Sequence, residues 1–363
     1  MAPTITCVRV ASDVNADDVR GSDLDAHGTD PTGRLGDEVP VIDIGDLADG
    51  VGVNGDRSIR EIADAARTWG FFQVVNHGIA DDLMGQARLQ MGRFFALPID
   101  TKEKILRSRD NPWGYYNNEL TKNQRDKKEV FDFTSDGKDG IYDAANRWPD
   151  FDPEFRSVME SYRDACVRLS LRLLEAFCHG LDLVPDFLNR SFHPDHTGFI
   201  RLNYYPTKDP LQDRGDVKSL GDADLGVHHH TDAGALTVLL QDDVGGLQVY
   251  HDDCWHDIRP VEGAFVINTG DMMQVWSNDI YHAAIHRVLA MSEKDRYSIP
   301  FFFNPGAGTQ VTPLPSVVTN EVPAHYRTID WSDYRGKRTD GDYADYGVEV
   351  QISQYKIQGK ICK

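Results

Sequence analysis

The residues of this chain best placed to do chemistry are a handful of histidines and aspartates. With 13 His and a large acidic excess, His-x-Asp arises by chance, and it occurs as His193-Pro-Asp195, His230-Thr-Asp232 and His251-Asp-Asp253. The spacing matters because residues i and i+2 of an extended segment point to one side, so a single metal ion can meet both. Pro194 and its polar neighbours give the first pair the look of a loop, and the segment from His251 to Cys254 reads as a turn between two strands. Only His230 and Asp232 lead into an apolar, β-rich run, Leu236 to Leu240. Taken alone, such a pair is more often a solvated turn than a metal site. A third ligand is on offer at His286, inside the β-rich stretch from Ile285 to Val288. Two imidazoles and one carboxylate on one face of an octahedron leave three positions open, the donor set of non-haem Fe(II) sites that take a co-substrate and O2. A competing reading pairs His282 with His286, four apart, as on a zinc-binding helix. Against it, Asn278-Asp279 signals a turn, Ile285 and Val288 favour a strand, and no Glu follows His282. His77, His179, His256 and His325 read as structural histidines.

Ten residues beyond His286 lies Arg296-Tyr-Ser298. A guanidinium grips a carboxylate in a bidentate fork, and a hydroxyl two residues along the same strand adds a hydrogen bond on the same face. An isolated Arg-x-Ser is usually surface. Following two His and an Asp, it gains a purpose: holding the distal carboxylate of 2-oxoglutarate.

The elements that must position these groups can be read from periodicity. Residues 1–37 are rich in Asp, Gly, Ser and Thr and suggest a poorly ordered leader with a short strand at Thr4–Val10. Order begins with the apolar alternation from Val39 to Ile44. Helical patterns follow over 58–69, 81–95 and 151–190, with a strand at 71–75 between the first two. From about residue 198 short β-rich runs alternate with Gly, Asp and Asn turns, at 198–205, 236–240, 246–250, 263–268, 272–276, 285–289 and 297–303. The expected fold is mainly β with flanking helices: a jelly-roll (double-stranded β-helix) core under a helical N-terminal layer. The expected divisions are the leader 1–37, a mostly helical region 38–190, the jelly-roll 191–306, and a C-terminal extension 307–363 with a closing helix over about 342–355.

Composition narrows the function classes. A formal net charge of −20 repels nucleic-acid phosphates and anionic lipid, which disfavours DNA, RNA and membrane-surface roles, and no obligate protein partner is implied. Five scattered cysteines without C-x-x-C spacing, Cys7, Cys166, Cys178, Cys254 and Cys362, read as reduced thiols of a cytoplasmic protein. No signal pattern and no run of apolar residues long enough for a membrane span is visible.

Taken together, the motifs resemble the plant-type and isopenicillin-N-synthase-like Fe(II)/2-oxoglutarate dioxygenases. His230, Asp232, His286, Arg296 and Ser298 meet the family pattern of His-x-Asp, about fifty residues, His, about ten, and Arg-x-Ser. The words Asn203-Tyr-Tyr-Pro206, Leu236 to Val249, Asn268-Thr-Gly-Asp271, Ser277-Asn278 and His286-Arg-Val288 agree, as do Val39 to Asp43 and Gly70 to Gly78, so the likeness spans about 38–306. By that resemblance Fe(II) sits on His230, Asp232 and His286, and 2-oxoglutarate chelates it with its far carboxylate on Arg296 and Ser298. Asn203 and Tyr205 help to orient that co-substrate. O2 then oxidises a small organic substrate of secondary metabolism, by hydroxylation or by desaturation or cyclisation, with release of succinate and CO2. Relatives that halogenate replace the carboxylate with a small residue, so Asp232 argues against that outcome. Relatives that keep Arg-x-Ser yet use no 2-oxoglutarate leave an isopenicillin N synthase type of Fe(II) oxidase as the alternative, and a non-catalytic binding protein on the same scaffold as another. One departure is His282-Ala-Ala284, where relatives more often carry Lys-Ser-Val. Tyr115, Tyr116, Phe131, Phe133, Phe301 and Phe303 lie in segments that approach the site in the family. They read equally well as a substrate wall and as core packing.

Overall fold

The computed structural model describes residues 38–47, 56–121, 124–135, 140–212, 225–341 and 349–357. The expected leader and the strand at Thr4–Val10 lie outside them. In chain order the first half runs β1 (Val41–Asp43), α1 (Asp56–Thr68), β2 (Phe71–Val75), α2 (Asp81–Phe95), α3 (Ile99–Lys102) and β3 (Gly114–Tyr116). The small pair β4 (Leu120–Thr121) and β5 (Gln124–Arg125) follows, then β6 (Glu129–Thr134) and the long α4 (Pro153–Gly180). The second half holds β7 (Phe199–Tyr205), β8 (Leu225–His230), β9 (Leu236–Gln241), β10 (Leu247–His251), β11 (Cys254–Asp257) and β12 (Phe265–Thr269). It closes with α5 (Asp271–Trp276), β13 (His286–Leu289), β14 (Arg296–Phe303), β15 (Gln310–Val311), β16 (Ile329–Asp330) and α6 (Trp331–Gly341).

Two sheets make the jelly-roll. The larger has the order β1-β2-β12-β9-β14-β7-β6-β3 and the smaller β11-β10-β13-β8. Alternation along the strands of the larger sheet separates two apolar layers. On its outer face Ile200, Leu202, Val238, Leu240, Ile267, Ile299, Phe301 and Phe303 join Phe94, Phe155, Leu169 and Leu173 of α2 and α4 in one core. On its inner face Phe71, Tyr205, Leu239 and Val266 meet Val227, Leu247, Val249 and Val288 of the smaller sheet. A long helix suits the outer layer: α4 is capped by the Asp152 carboxylate on the Glu154 amide, with Pro153 in its first turn, and buries one apolar face.

Several expectations need correction. Met272 to Trp276 is not a strand but α5, with Gln274 N–H donating to the Gly270 carbonyl at 3.1 Å. Four of its five residues are buried, so the run shows no period to read. The closing helix comes earlier than expected, at Trp331–Gly341. Residues 342–348 lie outside the described residues, and Ile352–Tyr355 form a single 3-10 turn. Tyr115, Phe131, Phe133, Phe301 and Phe303 all pack in the helix-facing core, so core packing is the right reading for them. Cys166 and Cys178 are buried free thiols, but Cys254 is disulfide-bonded, contrary to the expectation of reduced cysteines throughout. Among the described residues no helix is long and apolar enough to cross a membrane.

Candidate metal centre and co-substrate site

His230 ends β8, and His286 begins β13, the strand paired with it. The two residues are direct partners in that antiparallel register, which brings their ring centroids to 4.3 Å. Asp232 follows His230 by two residues, in a loop held against the start of α5. There the Asp271 N–H donates to the Asp232 carbonyl at 2.8 Å and the Met272 N–H to the Gly234 carbonyl at 2.9 Å. Gly270 permits this approach: a Cβ there would lie 2.4 Å from the Gly234 oxygen and 2.8 Å from the Asp232 oxygen. The result is a triad whose ligand-capable atoms all lie within 4.8 Å of one another, with Asp232 Oδ1 at 3.6 Å from the Nε2 of both His230 and His286. Among the described residues no other group of three such side chains converges in this way.

Surrounding contacts leave the right atoms free. His230 Nδ1 lies 2.8 Å from the His228 carbonyl and His286 Nδ1 lies 3.1 Å from the Ala284 carbonyl. A carbonyl only accepts, so each Nδ1 carries the proton and each Nε2 presents a lone pair. Asp232 Oδ2 accepts from the Asn268 amide at 2.8 Å and the Thr237 hydroxyl at 2.5 Å, which leaves Oδ1 facing the imidazoles. Burial opposes ionisation of Asp232, but the two histidines and Asn268 outweigh it and hold the carboxyl well below the usual range. Burial and the neighbouring His230 push His286 down to about 4, against the pull of Asp232, so its ring is neutral at pH 7. The Asp232 carboxylate and the Nε2 atoms of the two imidazoles together make a donor set for a divalent cation.

Beside the triad, β14 carries Arg296 and Ser298 on its inner face, opposite Tyr205 and Asn203 of β7. Arg296 is 1% exposed, yet its contacts are weak. Nη1 is 3.4 Å from Ser298 Oγ, Nη2 is 3.5 Å from Gln241 Oε1, and Nε has no acceptor. The guanidinium carbon stands 4.9 Å over the Tyr205 ring, and Asn203 Nδ2 donates to Ser298 Oγ at 3.3 Å. Among the described residues no carboxylate pairs with Arg296. A buried cation without a counter-charge is costly by several kcal/mol, so this pocket fits a ligand that brings a carboxylate. All seven residues singled out by sequence line one cavity of about 540 Å³ of empty space, counted to its mouth.

Sequence reasoning missed the residues that hold these groups in place. Asn268 lies in the word Asn268-Thr-Gly-Asp271, and Thr237 and Gln241 lie in the word from Leu236 to Val249, but neither word says what these side chains touch. His282 stays outside the triad: its N–H donates to the Ala66 carbonyl at 3.1 Å and no helix spans 282–286, so the zinc-helix reading fails.

Comparison with known proteins decides the family. Residues 196–305 match the 2OG-Fe(II) oxygenase superfamily, and residues 39–151 match the N-terminal region described as non-haem dioxygenase in morphine synthesis. The chain is 35% identical over 319 residues to jasmonate-induced oxygenase 2 of Arabidopsis thaliana, covering 87% of this chain and 83% of the relative.

This chain is a 2OG-Fe(II) oxygenase.

Other members of the superfamily are similar as well. Flavonol synthase 1 of Crocosmia x crocosmiiflora is 32% identical, over 82% of this chain and 85% of its own. The crystal structure of JOX2 in complex with 2OG, Fe and JA superposes with a TM-score of 0.71 at 33% identity, over 82% of this chain and 83% of that one. The dioxygenase for auxin oxidation in rice gives a TM-score of 0.67 at 25% identity, over 88% of this chain and 100% of that one. As a 2OG-Fe(II) oxygenase, the chain takes ferrous iron and 2-oxoglutarate as its cofactor and co-substrate, and its jelly-roll is that of its solved relatives.

Proposed function

We propose that His230, Asp232 and His286 hold the ferrous ion of this oxygenase. In the same reading Arg296 and Ser298 bind the far carboxylate of 2-oxoglutarate, which Asn203 and Tyr205 orient. The observation that carries this reading is the buried Arg296 guanidinium, short of acceptors, in the same cavity as the triad. When bound, iron and 2-oxoglutarate supply the O2 chemistry that oxidises a C–H bond, with succinate and CO2 as by-products.

This chain's own residues supply position and seclusion. Asn268 and Thr237 fix one oxygen of Asp232 so that the other points at the ion. The carbonyls of His228 and Ala284 fix both rings. A second cavity, about 710 Å³ of space open to solvent, also reaches His230 and Asp232 and is walled in part by Leu120, Phe199, Val227, Phe302 and Trp331. We place a small organic substrate there, hydroxylated beside the iron, with desaturation or cyclisation as further outcomes of the same site. A net charge of −20 fits a small-molecule partner better than a nucleic acid.

Replacing Arg296 tests the assignment. Arg296→Gln weakens 2-oxoglutarate binding by about 2–4 kcal/mol, the worth of one bidentate carboxylate contact, while iron content stays near normal. Both are read by anaerobic titration of the visible charge-transfer band and by metal analysis. Unchanged co-substrate affinity would sink the assignment.

A further inference from the structure

Three histidines stand in a row at the end of β8, and the triad uses only the last of them. The first, His228, owes its place to an irregularity between β8 and β13. His286 faces His230 and Val288 faces Val227, so two steps along β13 are matched by three along β8. The extra residue makes a bulge at His228 and His229, the kind of irregularity that re-aims side chains beside a site. There the His228 N–H goes to a side chain instead of a strand. Asp126, the residue after β5, accepts that N–H at 3.2 Å and the ring Nδ1–H of the same histidine at 2.9 Å, both on Oδ1. The carbonyl of His228 in turn accepts the Nδ1–H of His230 at 2.8 Å.

Asp126 is itself braced. Its side chain is fully buried, and its Oδ2 accepts from the Thr121 hydroxyl at 2.7 Å and lies 3.0 Å from Lys128 Nζ. Its N–H donates to the Glu119 carbonyl at 3.1 Å. Lys128 lies 2.6 Å from Glu119, which Arg107 and Arg201 hold at 2.6 Å and 2.9 Å. Burial opposes ionisation of Asp126, but Lys128 and His228 outweigh it and hold the carboxyl below its usual range, so both oxygens accept. Balancing Lys128 needs only Oδ2. Oδ1 is given over to the two donors of His228, and a bulge gripped at backbone and ring has the direction of its carbonyl fixed.

Building on the reading of His230 as an iron ligand, we propose that Asp126 is a positioning residue of the metal centre, acting through His228. By fixing the bulge it fixes the carbonyl that orients the His230 ring, and with it the direction of the Nε2 lone pair. Asn268 and Thr237 do this for Asp232 from within the larger sheet, whereas Asp126 does it for His230 from the β4–β5 pair, outside both main sheets.

The test uses the full-length apo protein and two readouts. Fe(II) affinity is measured by competition with a chelator of known strength, and the ligand-field absorption of Co(II) bound at saturation reports donor geometry. Asp126→Ala is expected to lower Fe(II) affinity at least about tenfold, as is typical for a partner that orients a ligand, and to displace the Co(II) bands. His228→Leu keeps the backbone grip but loses the ring donor, and is expected to change both readouts in the same direction by a smaller factor. His228→Asn, whose Nδ2 can replace Nδ1 on Asp126, is expected to restore both to wild type. Leu173→Ala, a cavity in the helix-facing core, destabilises the chain and should leave both unchanged. Circular dichroism and thermal melting establish which variants fold. Wild-type affinity and bands in Asp126→Ala, His228→Asn as impaired as His228→Leu, or the same changes in Leu173→Ala would each overturn the positioning role. Should Asp126→Ala not fold, the two His228 variants decide by the same criterion. Wild-type protein that takes up no Fe(II), or His230→Ala with unaltered affinity and bands, overturns the reading of His230 as a ligand, and the positioning role with it.

Discussion

At the residue scale the site depends on which atom of each side chain is left unoccupied. Asp232 can serve a metal with Oδ1 because Asn268 and Thr237 occupy Oδ2, and both imidazoles present Nε2 because backbone carbonyls hold Nδ1. Partners of this kind typically matter 10–100-fold in metal affinity. Asn268→Ala should therefore lower Fe(II) affinity by about that factor without removing a ligand, as read by competition with a chelator of known strength. Wild-type affinity in the variant would show that Asn268 does not orient the carboxylate. The triad residues and the Arg-x-Ser pair were legible as spaced words in the sequence, but only Arg296 and Ser298 owe their shared face to a two-residue strand repeat, because Asp232 lies in the loop beyond β8. The supporting residues were not, since a Thr or Asn on a strand carries no mark of what it touches across the sheet.

At the scale of elements, alternation decides the fate of every side chain on β14. Arg296, Ser298, Pro300 and Phe302 face the metal cavity, whereas Ile299, Phe301 and Phe303 face the helices. Sequence alone located this strand but not its faces, and so Phe301 and Phe303 stood as candidates for a substrate wall, whereas it is Phe302 that lines the cavities at the triad. A one-residue difference in phase exchanges the whole set. The same lesson in another form is α5, where a run buried on nearly all sides has no period to distinguish helix from strand. The faces can be separated by experiment. Phe301→Ala empties a fully buried site and should cost about 3–5 kcal/mol in chemical denaturation, with 2-oxoglutarate affinity retained. Phe302→Ala, only partly buried, should cost well under that while altering ligand binding in the cavities it lines. The reverse order of stabilities would contradict the alternation.

For the whole molecule, the net charge and the site pull in opposite directions. A chain of formal charge −20 repels the dianionic co-substrate at a distance, yet the cavity proposed to receive it holds Arg296 with no counter-charge among the described residues. Screening separates the two effects because it acts by depth. Between about 10 mM and 150 mM salt the Debye length falls from about 30 Å to about 8 Å, which removes repulsion by surface carboxylates but hardly touches a buried contact at hydrogen-bond distance. Association of 2-oxoglutarate should accordingly speed up as salt is added over that range, while dissociation changes little. Stopped-flow formation of the charge-transfer band under anaerobic conditions measures both rates. Association that slows with salt would mean that the mouth of the cavity is locally positive enough to reverse the field of the whole surface, with attraction reaching beyond the buried guanidinium proposed to meet the co-substrate.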